Sequence, residues 1–224
     1  MSAPLRRRGS GPGPITPDGC AVAVYTALPS TGEPEIVHAA VPAGASILEL
    51  GSGAGRLTRD LVALGHPVTA VDESPEMLAH VRDAETHLGD IAVLRLGRTF
   101  DVVLLASFLV NTYREDLRAA MLATCRAHVA PGGCVLIQRH LPSYFAVSTS
   151  ERYGVRISTL AVDHPEPGVV AATLEYRIGE KVWTHSFQER LLSEVELEEC
   201  LAEAGLAVDA YLDRDRTWLR ARAV

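Results

Sequence analysis

The sequence Glu49-Leu50-Gly51-Ser52-Gly53-Ala54-Gly55 decides the fold, because three closely spaced glycines separate a short strand from a helix. Residues 46–50 are largely apolar, as in a buried strand, and Leu57, Leu61 and Leu64 recur at helical spacing after the glycines. Glycine accepts positive φ and carries no Cβ, so the chain can turn sharply here and approach a ligand closely. The stretch therefore predicts a strand, a tight turn open to a ligand, and a helix.

The alternation of strand and helix continues along the chain. Residues 68–72, 101–106 and 134–138 have the apolar composition of buried strands, and helices are predicted to begin at Ser74 and to cover residues 115–129. Continuously apolar strands separated by helices are typical of a sheet covered on both faces. The sequence therefore predicts an α/β fold with a doubly wound, mostly parallel sheet.

The pattern changes in the carboxyl-terminal half. Extended segments over residues 155–162, 169–178 and 182–191 predict an antiparallel β insert that follows the fifth strand. A helix over residues 193–204 is then predicted from the capping-box pair Ser193 and Glu196, and two closing strands are expected to form an antiparallel hairpin. We expect the insert, residues 155–191, to cover the substrate or to form a dimer contact.

The remaining organisation is simple. Residues 1–17 contain Arg6, Arg7 and Arg8 followed by many glycines and prolines, so we expect a disordered tail, with residues 18–224 forming one domain. No apolar run approaches the roughly 20 residues of a membrane span. The four cysteines are widely scattered, which favours reduced thiols in the cytoplasm and predicts no metal site. A net charge of −7 opposes binding to nucleic acid.

The position of Asp72 strengthens the prediction of a nucleoside site. It ends the second strand and follows Gly51 by 21 residues, close to the spacing at which an acidic residue meets a ribose. Dinucleotides and S-adenosylmethionine are both bound in this way. The turn here is Gly-x-Gly-x-Gly, and Glu49 stands two residues before it. A carboxylate there suits a cationic cofactor better than a pyrophosphate, so charge favours S-adenosylmethionine.

The chain resembles the class I S-adenosylmethionine-dependent methyltransferases, in their small-molecule branch. Residues 47–55 look like the first signature motif, and Val71-Asp72-Glu73-Ser74-Pro75-Glu76-Met77-Leu78 is similar to the second. Gly89-Asp90-Ile91 resembles the third, and residues 100–106 and 130–137 resemble the fourth strand and the turn into the fifth. The resemblance implies a Rossmann-like, seven-stranded sheet with an antiparallel closing hairpin.

The resemblance also implies a set of cofactor-binding residues. The backbone at Gly51 and Gly53 would lie beside the methionine part of the cofactor. Glu49 would bind the amino group of that methionine part, and Arg59 (or Arg56) would pair with its carboxylate. Tyr25 would cover the methionine end of the cofactor. Asp72 would hold the ribose and Asp90 the adenine amino group. The other members of the set are Ser52, Glu73, Met77, Ile91, Ala106 and Ser107. The resemblance implies S-adenosylmethionine as the cofactor and S-adenosylhomocysteine as the product.

The acceptor is expected beyond the carboxyl ends of the fourth and fifth strands, where ligands of open α/β sheets lie. The candidate substrate residues there are Phe108, Asn111, Arg139 and Tyr144. His140 is the candidate general base, because neutral imidazole can take a proton from an acceptor hydroxyl or amine near pH 7. A histidine that only maintains the loop remains an equal alternative.

The predicted function is methyl transfer to the O or N atom of a small molecule, by a monomer or homodimer without nucleic-acid or membrane partners. In-line transfer can depend mainly on positioning, so the absence of a catalytic motif does not count against it. The alternatives are an RNA or protein methyltransferase, a noncatalytic cofactor-binding protein of the same fold, and a dehydrogenase.

Overall fold

The computed structural model describes residues 8–141, 145 and 147–224. Its helices are α1 (Val22–Ala27), α2 (Glu33–Ala40), α3 (Arg56–Ala63), α4 (Pro75–Leu78), α5 (Glu115–His128) and α6 (Glu194–Glu203), with a 3-10 helix at Leu109–Asn111. Its strands are β1 (Arg8–Ser10), β2 (Ile47–Leu50), β3 (Val68–Asp72), β4 (Glu85–Leu88), β5 (Phe100–Leu105), β6 (Val129–Gln138), β7 (Thr149–Arg152), β8 (Val155–Asp163), β9 (Val169–Ile178), β10 (Lys181–Arg190), β11 (Leu206–Tyr211) and β12 (Trp218–Ala223).

The chain divides into two compact units. The larger consists of Ser30–Leu141 and Leu192–Val224, and the smaller of Met1–Pro29 and Pro142–Leu191. The single domain expected for residues 18–224 stays a prediction. In this division residues 155–191 fall in a unit that also includes the amino-terminal segment. Hydrophobic periodicity could not show this, because the two parts of the smaller unit are separated by more than 100 residues of sequence.

The larger unit is built on a seven-stranded sheet in the order β11-β12-β6-β5-β2-β3-β4. The strands from β6 to β4 pair in parallel, whereas β12 is antiparallel to both β6 and β11. The predicted α/β class, parallel sheet and closing hairpin are confirmed.

Both faces of this sheet are buried, as the apolar strands predicted. In β5, Val103 and Leu105 join a core cluster with residues of α5 and α6. Val102 and Leu104 point to the opposite face and join a second cluster with Leu57 of α3. Alternate residues therefore supply two cores, which is why the strand is apolar throughout.

Local signals fixed the ends of several elements. The hydroxyl of Ser193 accepts from the backbone N of Glu196 at 3.2 Å, and the Glu196 carboxylate accepts from the backbone N of Ser193 at 2.8 Å. The predicted capping box is thus confirmed at the start of α6.

None of the helices in the described part of the chain combines the length and hydrophobicity needed to cross a membrane.

The smaller unit contains an antiparallel sheet in the order β1-β10-β9-β8-β7. Strands β8, β9 and β10 match the extended segments predicted for the insert. The expected disorder of residues 1–17 is wrong for residues 8–17: β1 pairs with β10, and Trp183 Nε1 donates to the carbonyl of Pro12 at 2.7 Å. The glycine-rich sequence of this segment carries no strand periodicity, and its order comes from pairing with β10.

Candidate functional site

The glycine-rich turn between β2 and α3 is held by the neighbouring strand. The backbone N of Gly51 and that of Ser52 each donate to the carbonyl of Val71 in β3, at 2.9 Å. Gly51, Gly53 and Gly55 have φ of 72°, 55° and 79°, a left-handed conformation that disfavours other residues. The three glycines therefore allow the turn to close over the end of β3.

Asp72 links three segments at this edge of the sheet. Its Oδ2 accepts from the backbone N of Gly53 at 2.8 Å, and its Oδ1 accepts from the backbone N of Ser74 at 2.9 Å. Its own carbonyl accepts from the backbone N of Gly89 at 3.0 Å. Each carboxylate oxygen can accept a second hydrogen bond, so the side chain is held in place and can still bind a ligand's hydroxyl groups.

Glu49 lies in β2 with only 3% of its surface exposed. Burial raises the pKa of its carboxyl group from 4.5 to about 7, although a 2.6 Å hydrogen bond from the Thr58 hydroxyl and the charge of Arg56 oppose the shift. The charge of Asp72 adds to the shift. Glu49 therefore sits where a cationic ligand group would restore its ionised form.

The turn leaves room on one side and is closed on the other. A Cβ built on Gly53 would meet only Met77 Sδ, at 4.0 Å, whereas a Cβ on Gly51 would approach Leu109 Cδ1 to 2.7 Å. The Ser52 hydroxyl is buried and has no hydrogen-bond partner among the described residues. An open backbone at Gly53 beside a carboxylate, with a buried hydroxyl that needs a partner, fits an adenosyl ligand.

The residues predicted to bind the adenine come after Asp72 in the sequence. Met77 is buried in α4, whose first turn is capped by the Ser74 hydroxyl accepting from the backbone N of Met77. Ile91 lies near Gly51, with its Cδ1 3.8 Å from the position of an added Cβ. Glu73 is exposed, and exposed Asp90 accepts from the backbone N of Ala92 at 2.8 Å.

The loops after β5 and β6 meet at the same edge of the sheet. The backbone N of Ser107 donates to Gln138 Oε1 at 2.9 Å. Buried Asn111 accepts from the backbone N of His140 through its Oδ1 at 2.8 Å. The rings of Phe108 and His140 stack with centroids 3.4 Å apart and an interplanar angle of 18°. Three of the residues predicted near the acceptor, Phe108, Asn111 and His140, are thus brought together, and Ala106 at the end of β5 is buried.

A family model for a methyltransferase domain matches residues 47–133. This span contains the glycine turn, Asp72, Asp90 and the loop after β5. Over this span the chain is similar to methyltransferase domains. S-adenosylmethionine is bound in a solved structure of the same fold.

Several solved structures share the fold at low sequence identity. The sugar N-methyltransferase KedS8 from Streptoalloteichus is 20% identical with a TM-score of 0.67, and the match covers 85% of this chain and 84% of that one. The S-adenosylmethionine-bound CalS10, an amino pentose methyltransferase from Micromonospora echinaspora, is 20% identical with a TM-score of 0.68 and coverages of 92% and 93%. DesVI of Streptomyces venezuelae is 22% identical with a TM-score of 0.67 and coverages of 86% and 91%.

One curated relative matches at the sequence level. A ubiquinone biosynthesis O-methyltransferase from Xanthomonas axonopodis is 28% identical over 120 residues, which are 48% of this chain. The match also covers 48% of the relative, so the chain spans about half the length of the curated relative that it matches.

The described structure does not place Arg59, Tyr25 or Tyr144 at the candidate site. Arg59 is exposed on α3 and its Nε lies 3.4 Å from the carboxylate of neighbouring Asp60, as expected of a solvated helix face. Tyr25 belongs to the smaller unit, where burial raises the pKa of its hydroxyl group. Tyr144 lies outside the described residues. Their roles at the site stay predictions.

The sequence did not predict three side chains that hold the candidate site in shape. Thr58 binds Glu49, Gln138 binds the loop after β5, and Leu109 closes the turn over Gly51. Only Gln138 left a signal, because a polar residue directly after Val135-Leu136-Ile137 marks the end of an apolar strand. The other two are common residues on amphipathic segments, and only the fold brings them to the site.

Proposed function

We propose that the chain transfers a methyl group from S-adenosylmethionine to the O or N atom of a small-molecule acceptor. The observation that carries the proposal is the Asp72 carboxylate fixed beside Gly53, with open space over that glycine and the buried Glu49 next to it. The two solved relatives that act on sugars support a small acceptor. The net charge of −7 supports it as well, because it disfavours a nucleic acid.

Each group of the site has a task in this proposal. The bound cofactor supplies a methyl group activated by its sulfonium. Asp72 accepts hydrogen bonds from the ribose hydroxyls, and Glu49 in its ionised form attracts the ammonium. The Phe108, Asn111 and His140 group borders the acceptor, whose in-line approach it fixes. His140 takes the proton that the acceptor loses.

Calorimetry and a methylation screen test the proposal. We expect S-adenosylmethionine and S-adenosylhomocysteine to bind, and we expect label from the methyl group to appear in at least one amine or hydroxyl of a panel of amino sugars and phenols. Failure of both cofactors to bind at near-millimolar concentration would refute it. Tight binding without transfer to any acceptor would instead favour a noncatalytic protein.

Replacing a glycine by alanine at two positions separates the effect of backbone strain on cofactor affinity from the effect of direct contact with the cofactor. Gly53→Ala places a methyl group in open space that the cofactor is proposed to fill, so we expect cofactor affinity to fall about 10- to 100-fold. The matched control is Gly65→Ala, since Gly65 has φ of 90° and also has open space around it. Both variants carry backbone strain of about 1–2 kcal/mol, and the control should bind as the wild type does. Calorimetry checks this, and equal affinities for the two variants would contradict it.

The raised pKa of Glu49 predicts a pH-dependent affinity. An ammonium favours the ionised carboxylate, so affinity for S-adenosylhomocysteine should rise about tenfold per pH unit between pH 5.5 and 6.5, below the pKa of about 7. Glu49→Gln should flatten this dependence. A wild-type slope that persists in Glu49→Gln would contradict the assignment.

The Glu49 carboxyl group also makes the stability of the ligand-free protein depend on pH. Between pH 4.5 and about 7 the unfolded chain ionises Glu49 while the folded chain keeps the proton, so stability contributed by this group is lost as pH rises. Glu49→Gln should therefore be more stable than wild type at pH 8, by up to about 3 kcal/mol, and indistinguishable from it at pH 4. Denaturant unfolding at both pH values measures the difference.

A further inference from the structure

Arg139 is a buried cation with no counterion among the described residues. It directly follows β6, and only 3% of its surface is exposed. Its Nε donates to the carbonyl of Arg216 at 3.1 Å, and its backbone N donates to the carbonyl of Thr217 at 2.8 Å. Its Nη1 is buried and has no hydrogen-bond partner among the described residues. Nor does any described residue place a carboxylate within ion-pair distance of it.

This state is costly for a guanidinium. Among the described arginines of the larger unit it is shared by Arg118, which is 5% exposed, donates through Nη1 to the carbonyl of Thr112 and has no partner for its Nε, whereas several more exposed arginines are ion-paired. An uncompensated buried charge destabilises a protein by several kcal/mol. Arg56 pairs with Glu33, Arg216 with Glu194 and Arg220 with Asp209, at N–O distances of 2.5, 2.5 and 2.6 Å. The hydrogen bond to the Arg216 carbonyl fixes the Arg139 side chain, and no counter-charge comes with it.

A second buried donor lies near Arg139. The hydroxyl of Tyr211, at the end of β11, is also buried without a hydrogen-bond partner in the described chain. Burial and the charge of Glu194 raise the pKa of this phenol, while the charge of Arg139 acts in the opposite direction. Because β12 is antiparallel to both β6 and β11, the ends of β6 and β11 lie at the same edge of the sheet.

We infer that Arg139 and Tyr211 bind a carboxylate group of the acceptor molecule. The inference rests on the proposed function and specifies its substrate class. A carboxylate offers two oxygens, one for the guanidinium and one for the phenol hydroxyl. It also carries the one negative charge that the site lacks: Arg216, whose Cζ lies 4.7 Å from the Tyr211 ring centroid, is already paired with Glu194. A phosphate dianion would exceed that charge.

The sheet order sets the distance between this site and the cofactor turn. The strand β6 is two positions from β2, so Arg139 lies about 10 Å along the sheet from the glycine turn. Asp72 lies on the far side of that turn, in β3. The acceptor therefore reaches from its carboxylate, at Arg139, past His140 to the atom that is methylated.

The test is a chemical-shift titration of ¹⁵N-labelled protein saturated with S-adenosylhomocysteine. The ligands added are benzoate, its neutral analogue benzamide, and phenyl phosphate. The signal followed is that of the Arg139 Nε–H group, which is assigned because it is lost in Arg139→Gln. We expect benzoate to shift this signal and to bind about 10- to 100-fold more tightly than benzamide. We expect Tyr211→Phe to weaken the binding of benzoate, because the substitution removes the hydroxyl group and nothing else.

Several outcomes would overturn the inference. One is that benzoate and benzamide bind equally well, and another is that benzoate does not shift the Arg139 Nε–H signal. The others are that benzoate affinity is unchanged in both Arg139→Gln and Tyr211→Phe, or that phenyl phosphate binds more tightly than benzoate. The control is Arg114→Gln, which removes an exposed arginine paired with Asp116 and should bind benzoate as the wild type does. Cofactor affinity, measured in the wild type without any probe, tests the proposed function separately.

Discussion

Asp72→Ala is expected to lower the affinity for S-adenosylhomocysteine by about 1,000-fold. Two charge-assisted hydrogen bonds to the ribose hydroxyls contribute about 1.5–3 kcal/mol each, and both are lost. The backbone N groups of Gly53 and Ser74 also lose their acceptor, so the turn is less well held before the ligand arrives. Calorimetric titration at fixed pH and salt measures the change.

Two further variants separate ribose binding from charge and from folding. Asp72→Asn keeps the shape but turns an NH₂ group toward one of the two backbone donors, so it should bind more weakly than wild type and more tightly than Asp72→Ala. Asp116→Ala removes an exposed carboxylate and should leave affinity unchanged. If Asp72→Ala is folded, as judged by thermal unfolding, and still binds like wild type, Asp72 does not hold the ribose.

His140→Phe is expected to lower kcat about 100-fold with an acceptor identified in the screen, at the lower end of general-base effects. Phenylalanine keeps an aromatic ring against Phe108 and keeps the backbone hydrogen bond to Asn111, but it cannot accept a proton. Cofactor affinity should not change.

The comparison variant for His140 is Asn111→Ala. It removes the 2.8 Å bond to the His140 backbone and leaves the imidazole in place, so it should raise KM for the acceptor more than it lowers kcat. A His140→Phe enzyme that keeps its kcat would show that His140 only maintains the loop.

Most of the sheet could be predicted from sequence because its strands are buried on both faces. Strands β2, β3 and β5 carry runs of apolar residues, and the glycine turn marks where the chain reverses. Strand β4 was missed since Glu85-Thr86-His87-Leu88 is exposed throughout and lies at the edge of the sheet. Strand β1 was missed for a similar reason, as its order depends on pairing with β10.

The site was predictable where spacing along the chain sets distance in space. The 21 residues from Gly51 to Asp72 cover one helix and one strand, which return Asp72 to the turn. The arginines were harder. Arg56 and Arg59 both follow the turn, and only the fold shows that Arg56 pairs with Glu33 while Arg59 is exposed. The partners of Arg139 come from residues 216 and 217, which no local pattern connects to β6.

A crystal structure of the S-adenosylhomocysteine complex tests the central claim most directly. We predict the ribose hydroxyls within 3.2 Å of the Asp72 carboxylate, the nucleoside over Gly53, and the amino group facing Glu49. A ligand bound elsewhere, or side chains filling the space over Gly53, would contradict the account.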